Sequence, residues 1–317
     1  MDDVFRRRWP RLGAPLAVEA LPFDARVSNR HFRVQTPAGT FLLKQLRDPN
    51  ALYGTERGTE RLETVARCVE ALGTAGLPVE QLEPSGDGSR LVIEEGVVLR
   101  VFRFIAGRGY DGSPQDRAAA ARAQRRLHDE GEAALPAELL QALRQLGPAF
   151  PIAETAPHVD EAFGFLRKLA DPEAEPILRH ESYIRDVLRR TLAAGPPPLD
   201  SCLVHLDLHP ENVIFENGRA LLIDLDNLLW GPRFKCVAFS VMRFTPGDAS
   251  IRDALHEWLA AYAAPDRAAD TIRWMRLIEL EKILRIVLRV ARTGAYANFL
   301  PNVATRHVPS LQRLETL

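Results

Sequence analysis

The feature that most constrains the fold is a change of sequence pattern near residue 105. Before it, short apolar runs alternate with turn-forming residues, a pattern that predicts strands at residues 25–35, 40–44, 91–94 and 97–104. From residue 114 onward, most apolar residues recur at helical spacing. The chain therefore combines a small β-rich unit with a larger helical unit.

The β-rich unit contains one predicted helix, whose apolar stripe consists of Leu62, Val65, Ala66, Val69 and Leu72. We expect an α+β protein with two domains. Residues 1–103 form a small antiparallel sheet with this one helix, and residues 104–317 form a mainly helical domain.

One short β-rich segment lies inside the helical part. A polar cluster at residues 205–212 (HLDLHPEN) is followed by an apolar run, the turn 216–218 (ENG), a second apolar run and then Asp224. Two short strands joined by such a turn predict a β-hairpin, which returns the chain on itself. We therefore expect Asp224 to lie within several ångströms of Asn212.

These residue types suit phosphoryl transfer. The oxygen atoms of Asn212 and Asp224 are ligands that Mg²⁺ accepts together with phosphates and water. Asp207, a carboxylate beside the metal, can accept the proton of an attacking hydroxyl. The alternation of His205, Asp207 and His209 also allows a transition-metal site, although no HxH or HExxH partner occurs elsewhere.

The pattern H-x-D-x-x-x-x-N, followed by an apolar hairpin and I-D, resembles the catalytic and metal-binding segments of the protein-kinase-like superfamily. HLDLHPEN and LIDLD look most like its aminoglycoside phosphotransferase and choline kinase branch. The resemblance implies a two-lobed fold that uses ATP and Mg²⁺. It makes Asp207 the catalytic base and Asn212 and Asp224 the magnesium ligands, with His205 bracing the loop.

The same resemblance implies the nucleotide contacts. Residues 27–34 are similar to the hairpin that covers the nucleotide in this branch, which places Ser28 and Asn29 at the phosphates. Lys44 would neutralise the α- and β-phosphates, steadied by a helix glutamate, for which Glu63 is the candidate. A hinge that includes Phe104 and Ile105 would read adenine through its backbone.

Two further positions bear on the comparison with the family pattern; the first matches it and the second departs from it. Asp226 occupies a position where many relatives have a second acidic residue, and its role is open. Residues 234–238 (FKCVA) stand where the family usually has an acidic residue near the start of a helix.

Charge and cysteine usage limit the partners and the compartment. The formal net charge is −1 and the N-terminal segment lacks the apolar core of a signal peptide. Three widely spaced cysteines form no disulfide framework. We expect a cytoplasmic monomer or homodimer that binds neither nucleic acid nor membrane.

The expected reaction is transfer of the γ-phosphate of ATP to a hydroxyl of a small molecule, such as an aminoglycoside, an amino sugar, homoserine or a choline-like alcohol. The segment LIDLDN also allows a protein serine/threonine kinase of the bacterial stress-response type. A catalytically silent nucleotide-binding scaffold is a third reading. The joint presence of Lys44, Asp207, Asn212 and Asp224 argues against that scaffold, because a scaffold has no chemical need for the base.

Overall fold

The computed structural model describes residues 2–21, 29–46, 58–146, 156–169, 172, 174–195, 197–245, 250–293 and 299–317. The chain divides into two compact units. The first comprises Met1–Gly147 and Cys202–Trp230, and the second comprises Pro148–Ser201 and Gly231–Leu317. The domain boundary between residues 103 and 104 stays a prediction.

A six-stranded sheet forms the framework of the first unit. Its strands are β1 (Ala17–Ala20), β2 (Asn29–Thr36), β3 (Gly39–Leu46), β4 (Leu82–Glu83), β5 (Val92–Glu94) and β6 (Val97–Arg103). The order is β1-β2-β3-β6-β4, with β5 also paired to β6, and the pairs are antiparallel. The predicted antiparallel sheet is thus present, and β3 and β6 lie inside it.

The helices of the first unit are α1 (Asp2–Arg8), α2 (Gly58–Thr74), α3 (Pro114–Ala134) and α4 (Ala137–Gln145). The predicted apolar stripe of α2 is buried, from Leu62 to Leu72. Ser113 begins α3 as its N-cap, since its hydroxyl accepts a hydrogen bond from the Asp116 N–H at 3.2 Å.

The N-terminal helix contributes to the core of the sheet. Phe5 and Trp9 are each 1% exposed and their ring centroids lie 5.5 Å apart. They pack with Val34, Leu43 and Val101 of the sheet. The first unit therefore depends on its N-terminal residues for part of its core.

The hairpin predicted after the polar cluster is formed by β8 (Val213–Glu216) and β9 (Arg219–Leu222), and β7 (Ser201–His205) pairs with β10 (Leu228–Pro232). Asn217 and Gly218 make the two-residue loop, with φ of 51° and 74°. Positive φ at both positions is the requirement of a type I′ turn, which Asn-Gly satisfies best. The turn sets the register that pairs Val213 with Leu222.

The second unit is helical. Its helices are α5 (Val159–Lys168), α6 (Ala174–Leu178), α7 (Glu181–Ala193), α8 (Arg233–Phe244), α9 (Ile251–Tyr262), α10 (Ala268–Thr293), α11 (Leu300–Asn302) and α12 (Val308–Glu315). A π-helical segment, Val303–His307, joins α11 to α12. Residues of α5, α7, α10 and α12, such as Phe163, Ile184, Leu284 and Leu311, share one buried cluster.

Lys235, in the stretch where the family usually carries an acidic residue, is buried in α8. Its ammonium lies 3.9 Å from a carboxylate oxygen of Glu281 in α10, and the side chains are 11% and 7% exposed. Burial lowers the pKa of Lys235 to about 7, although Glu281 acts to raise it.

None of the helices in the described part of the chain has the length and apolar character that crossing a bilayer requires.

Candidate active site

Three basic side chains lie side by side on one face of the sheet. Lys44 in β3 is paired with His31 in β2 and with Arg100 in β6, and directly paired residues of antiparallel strands point to the same face. Lys44 and Arg100 are 3% and 1% exposed. Buried positive charges of this kind require anionic partners.

Asp224 and Asp226 supply the negative charge. The Lys44 ammonium contacts Oδ1 of Asp224 and lies 2.7 Å from Oδ2 of Asp226. Nη2 of Arg100 donates a hydrogen bond to Oδ1 of Asp226 at 2.6 Å. Asp226 is 4% exposed, whereas 37% of the Asp224 side chain is accessible. Asp226 therefore bridges two buried cations, and Asp224 presents a carboxylate that a ligand can reach.

The pKa shifts follow from these contacts. Burial disfavours the charged Lys44 ammonium, but Asp224 and Asp226 outweigh burial and raise the pKa of Lys44. Burial also disfavours ionised Asp226, but Arg100 and Lys44 outweigh it and lower the pKa of Asp226. Burial, followed by the charge of Lys44, lowers the pKa of His31. At neutral pH Lys44 and Asp226 are therefore charged and His31 is neutral.

Asp224 adopts a left-handed backbone conformation, with φ of 57° and ψ of 49°. Aspartate enters this region more readily than most residues, and such conformations cluster at functional sites. The chain then turns through the 3₁₀ segment Leu225–Asn227, which presents Asp226 two residues after Asp224. The backbone conformation thus aims both carboxylates at Lys44.

Glu80 holds the start of this turn. Residues 78–80 run beside β9, because Leu222 N–H donates to Pro78 O at 2.8 Å and Glu80 N–H donates to Leu222 O at 2.9 Å. Oε1 of Glu80 accepts a hydrogen bond from the Leu225 N–H at 3.2 Å. Burial raises the pKa of Glu80 to about 7, although Lys44 acts to lower it.

His205 connects the polar loop to the hairpin. Its Nε2 lies 3.1 Å from the carbonyl oxygen of Ile223, and its Nδ1 accepts a hydrogen bond from the Asp207 N–H at 3.4 Å. Both contacts are satisfied by the neutral imidazole that carries its proton on Nε2. Burial lowers the pKa of His205, which favours that neutral form. Because both ring nitrogens are used, His205 does not suit a transition-metal site.

Asn212 lies between the loop and the hairpin. Its side-chain Nδ2 donates a hydrogen bond to the backbone carbonyl oxygen of Asp207 at 2.9 Å. Its backbone carbonyl oxygen accepts a hydrogen bond from the Ile223 N–H at 3.0 Å. The second bond puts Asn212 opposite the residue that precedes Asp224. The Asp207 side chain is 44% exposed, and its Oδ2 lies 3.7 Å from Nε2 of His209. Asn212 is thus hydrogen-bonded both to the loop, at Asp207, and to the end of the hairpin, at Ile223.

The segment that follows β6 is attached to the hairpin. Arg108 and Phe215 exchange two backbone hydrogen bonds, of 3.0 and 2.8 Å. A Cβ atom on Gly107 would lie 2.6 Å from the carbonyl oxygen of Phe215, so this approach requires glycine.

One of the other predicted nucleotide contacts lies outside the described residues. Ser28 is outside them, and Asn29 is the first residue of β2. Phe104 and Ile105 are half-buried immediately after β6. Glu63 is half-buried on α2. Its pairing with Lys44 stays a prediction, as do the other nucleotide contacts.

Sequence reasoning missed Arg100 and Glu80. Arg100 had a signal, because it is the one charged residue in the run 97–102 (VVLRVF), and a charge in a buried strand requires a partner. No sequence signal marked Glu80. A glutamate after Pro78-Val79 is an ordinary loop residue, and only the fold brings it into contact with Leu225.

The residues at the hairpin fit Mg²⁺. Among the described residues no cluster of three His, Cys, Asp or Glu side chains is arranged to hold a metal. Mg²⁺ needs only one or two protein oxygens and keeps water and phosphate oxygens for the rest. The carboxylate of Asp224 is accessible, and the hydrogen bond from Nδ2 of Asn212 leaves its amide oxygen as the atom able to bind a cation.

A sequence profile of the phosphotransferase enzyme family matches residues 19–272. No curated protein sequence gives a significant match.

Several solved structures share this fold at low sequence identity. A spectinomycin phosphotransferase in complex with ADP and spectinomycin has a TM-score of 0.65 and 12% identity, over 99% of this chain and 92% of that one. The choline kinase LicA from Streptococcus pneumoniae has a TM-score of 0.60 and 16% identity, over 98% and 99% of the two chains. Amicoumacin kinase in complex with AMP-PNP and Ca²⁺ has a TM-score of 0.58 and 14% identity, over 95% and 91%. These similarities confirm the predicted protein-kinase-like fold class.

Proposed function

Because the chain belongs to the phosphotransferase enzyme family, we propose that it transfers the γ-phosphate of ATP to a hydroxyl group of a small molecule. The observation that carries the proposal is the hydrogen bond between Ile223 N–H and Asn212 O, at 3.0 Å. This bond puts Asn212 beside Asp224, while the side chain of Asn212 holds the backbone of Asp207.

Asp207 is the proposed base. As the acceptor hydroxyl attacks the γ-phosphorus, its O–H proton passes to a carboxylate oxygen of Asp207, a P–O bond forms, and the bond to the β-phosphate oxygen breaks to release ADP. The hydrogen bonds from Asn212 to the Asp207 carbonyl and from the Asp207 N–H to His205 fix the position of that carboxylate. Most of the rate then comes from positioning.

The nucleotide would be held by the residues around Lys44. The Lys44 ammonium, kept charged by Asp224 and Asp226, neutralises phosphate oxygens. Asn212 and Asp224 would hold Mg²⁺, which neutralises charge on the phosphates when it is bound. Ser28, Asn29, Glu63, Phe104 and Ile105 remain the proposed further contacts to the nucleotide and to Lys44.

The similar structures support a nucleotide donor and a small acceptor. One was solved with ADP and spectinomycin, another with AMP-PNP and Ca²⁺, and a third is a choline kinase. We therefore propose acceptors among aminoglycosides, amino sugars, homoserine and choline-like alcohols.

An ADP-release assay with MgATP and a panel of these hydroxylated acceptors tests the proposal. We expect at least one acceptor to stimulate ADP release by the wild-type protein, and Asp207→Asn to reduce kcat by about 10²–10⁴-fold, the usual contribution of a general base. Glu211→Gln is the matched control, because Glu211 lies in the same loop and its side chain is 90% exposed.

Binding of AMP-PNP, measured separately by calorimetry, identifies what fails. If the nucleotide binds and ADP release is the same in Asp207→Asn and wild type, the role of Asp207 is wrong. If no acceptor stimulates ADP release but the protein phosphorylates itself or another protein, the acceptor class is wrong. Nucleotide binding without any transfer would indicate a scaffold.

A further inference from the structure

The second unit contains a cavity of about 580 Å³. Its walls come from the end of α8, the start of α9, the middle of α10 and the segment from Thr305 onward. Five of the lining side chains are basic, namely Arg243, Arg252, Lys282, Arg306 and Arg313. Glu279 is the one carboxylate side chain among the described lining residues.

The single carboxylate already has two partners. Oε2 of Glu279 lies 2.7 Å from Nδ1 of His307, and its Oε1 lies 3.5 Å from the Lys282 ammonium. Glu279 is 4% exposed, and its two carboxylate oxygens interact with these two neighbours. Glu279 therefore does little to neutralise the positive charge of the arginines around the cavity.

The basic groups lie close enough to repel one another. The Arg243 guanidinium and the Lys282 ammonium lie 6.0 and 5.4 Å from the ring centroid of Phe239. Burial lowers the pKa of Lys282, and the charges of Arg243 and Arg306 add to that effect against the attraction of Glu279. Positive charge is thus concentrated at this cavity.

Protein groups in the described part of the chain leave part of this positive charge without a partner. Nε of Arg243 is buried without a hydrogen-bond partner there. Within the same residues, the guanidinium groups of Arg306 and Arg313 form no ion pair with a carboxylate side chain. Arg252 donates hydrogen bonds to main-chain oxygens of Thr316 and Leu317. Each unpaired guanidinium offers several N–H donors to a ligand.

Stabilisation of helix ends explains part of the cluster. Arg243 and Arg313 lie in the last turns of α8 and α12, where basic residues offset the partial negative charge of the carbonyl groups. Arg306 lies in the π-helical segment, which continues into α12, and Lys282 lies inside α10. Helix-end stabilisation therefore does not account for these two.

We propose that this cavity binds a small anion, a molecule with phosphate or carboxylate groups, through Arg243, Arg306 and Lys282. Guanidinium groups match both anions because their paired N–H donors fit two oxygens at once. The proposal concerns the second unit alone and does not depend on the phosphotransferase reaction.

Calorimetric titration of the full-length protein with inorganic phosphate, and separately with citrate, tests the site. We expect saturable binding of at least one of them, and a Kd that is at least about tenfold weaker in Arg306→Gln, as for the loss of one charge-assisted hydrogen bond. Arg179→Gln is the matched control, an exposed arginine of the same unit outside the cavity lining, and its Kd should equal that of the wild type.

Lys44→Met separates this site from the nucleotide site, and the anion should bind this variant as it binds the wild type. The proposal is overturned if neither anion binds, if Arg306→Gln binds as well as wild type, or if only Lys44→Met loses binding. Circular dichroism checks folding. Should Arg306→Gln fail to fold, Arg243→Gln is judged by the same criteria. The anion with the lower Kd, phosphate or citrate, identifies the class of ligand.

Discussion

Arg100 donates a hydrogen bond from Nη2 to Oδ1 of Asp226 at 2.6 Å, and both side chains are almost fully buried. Asp226 also receives the Lys44 ammonium, at 2.7 Å. One carboxylate thus bridges two buried cations that neighbouring strands place side by side. Asp226, whose role the sequence left open, is a structural part of the site, while Asp224 keeps an accessible carboxylate.

Replacing Asp226 should destabilise the protein strongly. Asp226→Asn removes the charge without changing the volume and leaves Arg100 and Lys44 buried with less compensation. We expect a loss of about 3–5 kcal/mol in the free energy of unfolding, as for other broken buried ion pairs. Urea denaturation followed by circular dichroism measures it. The control is Asp266→Asn, at an exposed carboxylate, which should change the free energy of unfolding by no more than about 0.5 kcal/mol. A similarly small change in Asp226→Asn would refute the structural role of Asp226.

Glu80 should be needed as a hydrogen-bond acceptor more than as a charge. Glu80→Leu leaves the Leu225 N–H without its partner, at a cost of about 1–3 kcal/mol, and frees the turn that carries Asp224. Glu80→Gln keeps an acceptor oxygen at the same place. We expect Glu80→Leu to lower both stability and kcat/KM, and Glu80→Gln to retain most of each. Equal losses in the two variants would mean that the charge matters instead.

On the proposed function, Asn212→Ala should weaken the use of Mg²⁺. The substitution removes the amide oxygen and also the hydrogen bond to Asp207, so the Mg²⁺ concentration for half-maximal rate should rise at least about tenfold, an effect that loss of residues merely supporting metal ligands already produces. Titration of MgCl₂ at fixed ATP measures the shift, and EDTA should stop turnover in every variant. An unchanged Mg²⁺ dependence in Asn212→Ala would remove it from the metal site.

Lys235 should make stability depend on pH above neutrality. Its pKa is about 7 in the folded protein and 10.5 as a free side chain. Below pH 7 both states hold the proton, and the cost of burying the charge is then at its largest. Between pH 7 and 10.5 only the unfolded chain keeps the proton, so stability rises with pH, by at most about 1.4 kcal/mol per pH unit for one proton.

The difference in stability between the wild type and Lys235→Met isolates this contribution from other titrating groups. Urea denaturation at pH 7, 8 and 9 should show the wild type gaining stability relative to Lys235→Met as pH rises. Lys168→Met, which removes an exposed lysine of the same unit, should show the same change of stability with pH as the wild type. A constant difference between the wild type and Lys235→Met would show that Lys235 keeps its proton in the folded protein.

The parts of the site that were predictable from sequence depend on local signals. The hairpin follows from two apolar runs and an Asn-Gly turn, and that turn fixes the register that brings Asn212 near Asp224. The apolar stripe of α2 and the strand β3 that ends near Lys44 are local patterns as well. Each could be read from fewer than twenty consecutive residues.

The contacts that were not predictable join distant parts of the chain. Lys44 meets Asp226 across 182 positions, and Glu80 meets Leu225 across 145. No pattern in one sequence encodes such a pair, because only the sheet and the hairpin together bring the two sides into contact. The burial of Phe5 and Trp9 under the sheet was missed for the same reason.

The approach of Gly107 to the hairpin bears on how mutational scans of this protein should be interpreted. With any larger residue at this position, strand β8, which follows the loop that carries Asp207, would have to shift, since a Cβ would lie 2.6 Å from the Phe215 carbonyl oxygen. Position 107 should therefore tolerate as little variation as the proposed catalytic residues, although it contributes no functional group. Loss of function in variants at position 107 would reflect the close approach of two backbone segments. It should not be taken as evidence that Gly107 takes part in the proposed reaction.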